Sequence, residues 1–240
     1  MKIWTSEYSH IGGRQINEDS YSCEVMTQQS VFAVVADGLG GHGDGKMASQ
    51  IAVRNLRKCC QCTSLPMDAQ IRQWFHDANE EILKNNKSIA GMKTTAALVA
   101  IFHGCAVWAH VGDSRIYHFY NGQLQHYTCD HSVPQVKVFA GELERNQIPF
   151  SPDRSKILKA LGSEEWEPEI APAIQLQSGQ HAFLLCTDGF WEYLTDDEIW
   201  LDLNKSASPM AWLTYLRCRG ENRKGKDADN NTAVVLFVEV

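Results

Sequence analysis

No stretch of this 240-residue chain approaches the ~20 consecutive apolar residues needed to cross a bilayer, so no membrane role is expected. Its opening residues, MKIWTSEYSH, lack the apolar core of a signal peptide, which makes the cytosol the expected compartment. No Lys/Arg stripe marks a nucleic-acid face, and the formal net charge is −7. An anionic substrate would therefore be drawn in by local Arg and metal ions rather than by the global field. A zinc or disulfide framework is missing too. Of eight cysteines, Cys59 and Cys62 form a C-x-x-C, but no second ligand pair stands at suitable spacing and no thioredoxin-like context surrounds it. Cys23, Cys105, Cys129, Cys186 and Cys218 are scattered, several in apolar runs where a thiol behaves as a small hydrophobe. The cysteines are expected to carry no chemistry. Internal repeats, low-complexity tracts and an interdomain linker are also absent. With 44% hydrophobic and 21% charged residues, a single globular domain over residues 1–240, acting as a monomer, is expected.

What the chain does have is a set of acidic residues, each where an apolar run gives way to a turn. Asp37 follows VFAVVA, Asp113 follows AVWAHVG, Asp188 follows AFLLCT, and Asp229 stands just before TAVVLFV. Asn17-Glu18-Asp19 adds a further group near the start. Short runs of Val, Ala, Phe and Leu bounded by Gly and polar residues read as buried strands. A carboxylate at a strand end is held rigidly and can face a cleft; several repelling one another there call for a cation. Oxygen donors without a matching Cys or His cluster select Mg²⁺ or Mn²⁺ over Zn²⁺. The pattern points to a metal-dependent hydrolase, although any one such Asp, taken alone, is also a turn former.

SYSCEVM, SVFAVVA, ALVAIF, CAVWAHV, RIYHFY, HAFLLCT and TAVVLFV read as strands. Residues 44–62 read as a helix with Ala48, Ile51, Ala52, Leu56 and Cys59 on one face, and residues 67–85 as another with Ile71, Trp74, Phe75, Ala78 and Ile82 inward. Thr195-x-x-Glu198 is a capping box, and Ser208-Pro209 supplies an N-cap and first-turn Pro for a helix ending before Gly220. Helices cluster early and late while strands fill the rest, which gives an α+β fold of mainly antiparallel sheets with helices outside. Residues 134–155, of weak periodicity and mixed charge, are expected to form a surface flap beside the site.

The glycine segment after Asp37 fits two nucleotide motifs. Gly38 to Gly43 satisfies G-x-G-x-x-G, and Gly40 to Lys46 satisfies G-x-x-x-x-G-K. The P-loop reading fails at Met47, where a hydroxyl should reach Mg²⁺, and the dinucleotide reading fails because the rest of the chain is no βαβ series. Small residues that let the backbone curl around an ion, with the Gly38 carbonyl beside the Asp37 carboxylate, account for the segment better.

Taken in order, these blocks resemble the PPM family of metal-dependent Ser/Thr protein phosphatases (the type-2C class) in its compact bacterial form. Gly13-Arg14-Gln15-Ile16-Asn17-Glu18-Asp19 is similar to the family's opening block, and Val35-Ala36-Asp37-Gly38-Leu39-Gly40-Gly41-His42 with Ala48-Ser49 to its second. Thr94-Thr95, Ala109-His110-Val111-Gly112-Asp113-Ser114-Arg115 and Thr128-Cys129-Asp130-His131-Ser132 resemble the middle blocks. Leu161-Gly162, Leu185-Cys186-Thr187-Asp188-Gly189 and Asp229-Asn230-Asn231-Thr232 complete the series. The resemblance implies an α-β-β-α sandwich with a binuclear Mn²⁺ or Mg²⁺ centre at one end.

The resemblance also implies roles. Asp37 bridges two metals, with the Gly38 carbonyl on one and Asp188 and Asp229 on the other, and Asp113 with Asp188 takes a weaker third ion. Glu18 and Asp19 hold water around the metals. Arg14 grips the substrate phosphate, with a structural ion pair to Glu18 or Asp19 as its alternative. The reaction implied is direct attack of metal-activated hydroxide on phosphoserine or phosphothreonine of a protein substrate, reversing a Ser/Thr kinase. Asp130 and His131 are expected to be structural, and Ser114 has no base placed to make it a nucleophile. Two departures stand out. Leu39 occupies a place where some members carry His, leaving His42 as the candidate general acid or a cap of the glycine loop. Lys93 and Lys46 replace a usual Gly and acidic residue, affecting local geometry and surface charge. A phosphoprotein-binding pseudophosphatase, a nucleotide-binding switch and a small-molecule phosphomonoesterase remain as alternatives.

Overall fold

A computed structural model describes residues 1–39, 44–86, 91–164 and 166–240. The apolar runs become the centres of two antiparallel sheets. One carries β1 (Lys2–His10), β13 (Asn231–Glu239), β12 (Gln180–Cys186), β8 (Arg115–Tyr120) and β9 (Gln123–Tyr127), hydrogen-bonded in that order. The other runs β10 (Glu169–Ile170), β7 (Cys105–Val111), β6 (Ala96–Phe102), β3 (Ser30–Ala36), β2 (Ser20–Thr27), with β11 (Ile174–Gln175) also on β7. A small ribbon pairs β4 (Gly38–Leu39) with β5 (Lys93–Thr94).

Because strand side chains alternate between faces, fully apolar strands must be covered on both sides. Val31, Ala33 and Val35 of β3 face Phe183, Leu185, Val234, Leu236 and Val238 across the sandwich, while Phe32, Val34 and Ala36 point outward. Those outward residues lie under α1 (Asp44–Leu56) and α2 (Asp68–Asn85), whose buried stripes include Ile51, Leu56, Ile71 and Phe75. On the opposite side Ala233, Val235 and Phe237 lie under α5 (Asp196–Asn204) and α6 (Pro209–Glu221). The result is the expected α-β-β-α sandwich.

Local signals mostly hold. The Thr195–Glu198 capping box forms reciprocally, and the Ser208 hydroxyl accepts from the Ala211 amide. The first helix ends at Leu56 and continues as a 3-10 helix over Arg57–Gln61. Gly220 does not end α6, which runs on to Glu221; a Cβ there would meet Lys224 Cε and Tyr193 Cβ only at 3.9 Å, ordinary contact, so the helix passes through. The flap segment holds α3 (Val133–Phe139) and a 3-10 helix over Arg145–Phe150, its base closed by the Ser132–Ile157 bridge. No helix among the described residues is long and apolar enough to cross a membrane.

Candidate metal centre

The acidic residues collect at one end of the sandwich because antiparallel registry brings their strand ends together. Asp37 ends β3. Its amide donates to Thr95 Oγ1 at 3.0 Å, and its carbonyl accepts from the Thr95 amide at 2.9 Å and Thr94 Oγ1 at 2.8 Å. Asp188 opens α4 (Asp188–Trp191) directly after β12, and Asp229 precedes β13, which pairs with β12. Asp113 sits in the turn between β7 and β8. That turn depends on Gly112: its φ is +95°, and a Cβ there would lie 2.5 Å from Thr95 Cγ2. Ser114 Oγ meets Thr95 Oγ1 at 2.6 Å, so one threonine ties the Asp37 and Asp113 turns together, and Ser114 serves as structure.

The opening loop is pinned from several sides. Asn230 Oδ1 accepts the Glu18 amide at 2.8 Å, and its Nδ2 donates to the carbonyls of Ile11 and Ile16. Thr187 Oγ1 donates to Asp19 Oδ2 at 3.0 Å. Lys46, expected as a surface charge, instead directs its ammonium at the Asp19 carbonyl, 2.7 Å away, and burial lowers its pKa. Gly38 and Gly45 have their backbones in contact: a Cβ on Gly38 would lie 2.2 Å from Gly45 O, so only glycine fits where α1 meets the ribbon. Sequence reasoning did not find Asn230, Thr187 or Lys46 as positioning groups; their neighbours in the acidic blocks were the only signal. His42 and Gly40, Gly41 and Gly43 lie outside the described residues.

The electrostatics are those of buried carboxyls crowded together. Burial raises the Asp37 carboxyl well above its ordinary pKa, with Asp188, Asp19 and Asp113 adding repulsion. Burial and then Asp188 do the same for Asp113; burial pushes Asp19 up to about 7 and raises Asp188 as well. Asp188 is the largest source of repulsion for the Asp37 carboxyl, so the two acids favour a shared loss of charge. Asp113 Oδ1 and Asp19 Oδ1 are buried with no hydrogen-bond partner among the described residues. Orphaned carboxylate oxygens and mutual repulsion fit hard divalent cations. Arg14 Nη2 pairs with Asp229 Oδ2 at 2.7 Å, rather than with Glu18 or Asp19, both side chains being about half exposed.

A second cluster, His110, His131 and Glu169, lies at the sheet edge with ligand atoms within 4.8 Å of one another. It does not fit a metal. His131 Nδ1 accepts the Gly112 amide at 3.1 Å, leaving the proton on Nε2, where a metal would need a lone pair. The His110 and His131 rings are stacked 9° from parallel, so their in-plane lone pairs do not converge on one point. The group is a hydrogen-bonded post under the Asp113 turn. Asp130 is likewise structural: its two oxygens accept Arg115 Nε and Nη2 at 2.8 and 2.7 Å in a buried bidentate pair. All eight cysteines are free; burial pushes the Cys23 and Cys60 thiols up to about 12, consistent with inert thiols.

Residues 7–220 match the family model described as Protein phosphatase 2C. The chain is 30% identical over 234 residues, 94% of both proteins, to Protein phosphatase PhpP of Streptococcus pneumoniae serotype 2. It superposes on the serine/threonine phosphatase PstP/Ppp of Mycobacterium tuberculosis with a TM-score of 0.87 at 26% identity, covering 100% of both chains. The catalytic domain of the serine/threonine protein phosphatase PstP in complex with two manganese ions gives a TM-score of 0.83 at 25% identity, with 99% of each chain covered. An antiparallel sandwich with buried carboxylates gathered at one end, matched along nearly its whole length, belongs to the protein phosphatase 2C family.

Proposed function

We propose that this protein hydrolyses phosphoserine and phosphothreonine on protein substrates, reversing a Ser/Thr kinase, with Mn²⁺ or Mg²⁺ held by Asp37, the Gly38 carbonyl, Asp188 and Asp229, and a third ion by Asp113 with Asp188. The observation that carries this is the excess of buried carboxylate at one end of the sandwich, with Asp113 Oδ1 and Asp19 Oδ1 unpartnered among the described residues. Bound ions supply a strong nucleophile at neutral pH by acidifying water, and neutralise charge on the phosphoryl group. The chain's own residues do the rest. Asp19, fixed by Thr187, and Glu18, fixed through its amide by Asn230, would orient water at the centre. Arg14 stands at the lip with Nε and Nη1 unpartnered among the described residues, so its fork would receive phosphate oxygens. Rigid anchoring of the Asp37 and Asp113 turns through Thr95 keeps these groups in place before substrate arrives.

The test is phosphate release from a phosphothreonine peptide with Mn²⁺, then with chelator. Turnover only with Mn²⁺ supports the reading. Binding of the phosphopeptide without turnover points to a pseudophosphatase, and turnover of aryl phosphate without peptide turnover points to a small-molecule phosphomonoesterase. The soluble interior of the cell is where kinase-phosphorylated substrates would be met.

A further inference from the structure

Trp191 lies in the only turn of α4, three residues beyond Asp188, and is 2% exposed. Its Nε1 donates to the backbone carbonyl of Asp113 at 2.9 Å. The Arg115 guanidinium carbon stands 3.4 Å from the centroid of its ring. Arg115 is itself immobilised, by both oxygens of Asp130 and by Tyr117 Oη at 3.3 Å. The indole is therefore clamped on one face by a fixed cation, and its single donor joins the helix that begins with Asp188 to the turn that carries Asp113. These are the two residues that would share the third ion.

We infer that Trp191 is a positioning residue that holds Asp113 in register with Asp188 for that ion; this rests on the reading of Asp113 as a metal ligand given above. The physical argument is pre-organisation. Asp113 would be the sole carboxylate from its segment, so little charge offsets the dehydration of a small hard cation. Affinity at such a site depends on how far the ligand's backbone is ordered before the ion arrives. Asp113 is ordered at Gly112, at Ser114 through Thr95, and at its own carbonyl through Trp191, and only the last contact reaches across to the Asp188 helix. Ions held by Asp37 would draw on carboxylates that also have other anchors, Asp37 through Thr95 and Asp229 through the start of β13, and would depend less on this bond.

The experiment counts bound Mn²⁺ by the paramagnetic resonance of the free ion, with thermal unfolding of the same samples, in wild type, Asp113→Asn, Trp191→Phe and Trp212→Phe. Trp212 is the control: it is fully buried and its Nε1 donates to the Ile199 carbonyl of α5 at 3.1 Å, with no bond to the Asp113 turn or to the helix that begins with Asp188 among the described residues. The expected result is that wild type binds a tight pair and a weaker ion, and Asp113→Asn loses the weaker one. Trp191→Phe should keep the pair and weaken the third ion by about fivefold or more, the equivalent of one neutral hydrogen bond. Trp212→Phe should lower the melting temperature and leave all three ions unchanged. If Asp113→Asn keeps the weaker ion, the ligand reading falls and the role of Trp191 with it. If Asp113→Asn loses it but Trp191→Phe binds it as wild type does, Trp191 alone is refuted. Equal weakening of all ions in both Trp variants also overturns the proposal. Should Trp191→Phe not fold, site-specific benzothienylalanine at 191 keeps the ring shape without the donor and is read the same way.

Discussion

Asp113 and Arg115 flank a single serine, and both are buried, yet their surroundings solve the cost of burying charge in opposite ways. Arg115 is saturated: Asp130 takes it bidentately, Tyr117 accepts a further bond and Trp191 covers its face. Its charge is cancelled inside the protein by the paired Asp130 carboxylate. Asp113 faces further carboxylates, keeps an oxygen without a partner among the described residues, and is forced toward its protonated form by burial. The closed cluster is part of the scaffold, whereas the open one is stable in its ionised form only when something else supplies positive charge. The contrast separates structural acid from candidate ligand more sharply than burial does, since Asp130 and Asp113 are 4% and 3% exposed.

The largest effects should come from swapping acid for amide on the two sides. Asp37→Asn is expected to lower phosphopeptide turnover on the order of 10²–10³-fold or more, the scale of losing an electrostatic element of the transition state. Unfolding of the metal-free variant in urea should show stability equal to or above wild type, because a repelling carboxyl has gone. Asp130→Asn should do the reverse. It leaves Arg115 buried without a counter-charge, at a cost of about 3–5 kcal/mol. A metal-free Asp37→Asn that is clearly less stable than wild type would break the contrast.

Arg14 sharpens the same comparison among the cations. Its pair with Asp229 is about half exposed on both sides, so its contribution to stability is expected below about 1 kcal/mol. If it receives the phosphate, Arg14→Ala should raise KM by roughly 10- to 100-fold, the size of a charge-assisted hydrogen bond, with a smaller fall in kcat. Unchanged KM in steady-state peptide kinetics would make Arg14 a structural partner of Asp229. Arg115→Ala, by contrast, is expected to show its effect in the unfolding midpoint.

Much of this layout was legible because buried strands advertise themselves. The run SVFAVVA has both faces covered and cannot be mistaken for a loop. The edge strand β1 was missed, since KIWTSEYSH has almost no buried positions and owes its place to pairing with β13 along its whole length. The same holds for β9. At the site, the acidic residues announced themselves by standing at strand ends. Trp191, Thr187 and Asn230 did not, because each acts on a backbone or carboxyl group distant in sequence, a relation no local pattern encodes. Lys46 read as a surface charge because its spacing on α1 says nothing of the Asp19 carbonyl in front of it.

The pH dependence of stability brings in two buried sets that pull in opposite directions. Burial lowers His118 to about 3 and His110 to about 4, each from an ordinary 6.5. Below pH 6.5 the unfolded chain takes protons that the folded one refuses, so stability falls as pH drops toward those values, by up to about 2–3 kcal/mol per histidine over two pH units. Asp19 and Glu192 are raised by burial to about 7, with Asp188 adding to both. In metal-free protein these groups hold protons that the unfolded chain has lost above ordinary carboxylate pKa values. Their contribution is therefore present at low pH and lost as pH rises through about 7. Bound Mn²⁺ would hold the carboxylates ionised and remove that alkaline loss, while leaving the acid loss of the histidines untouched. Melting temperatures between about pH 5 and 8, with chelator and with Mn²⁺, should show a stabilising increment from Mn²⁺ that grows with pH, on top of an acid limb common to both. An increment that stays flat across this range would mean that the carboxyl cluster is already ionised without metal, and that the open cluster is less strained than its burial implies.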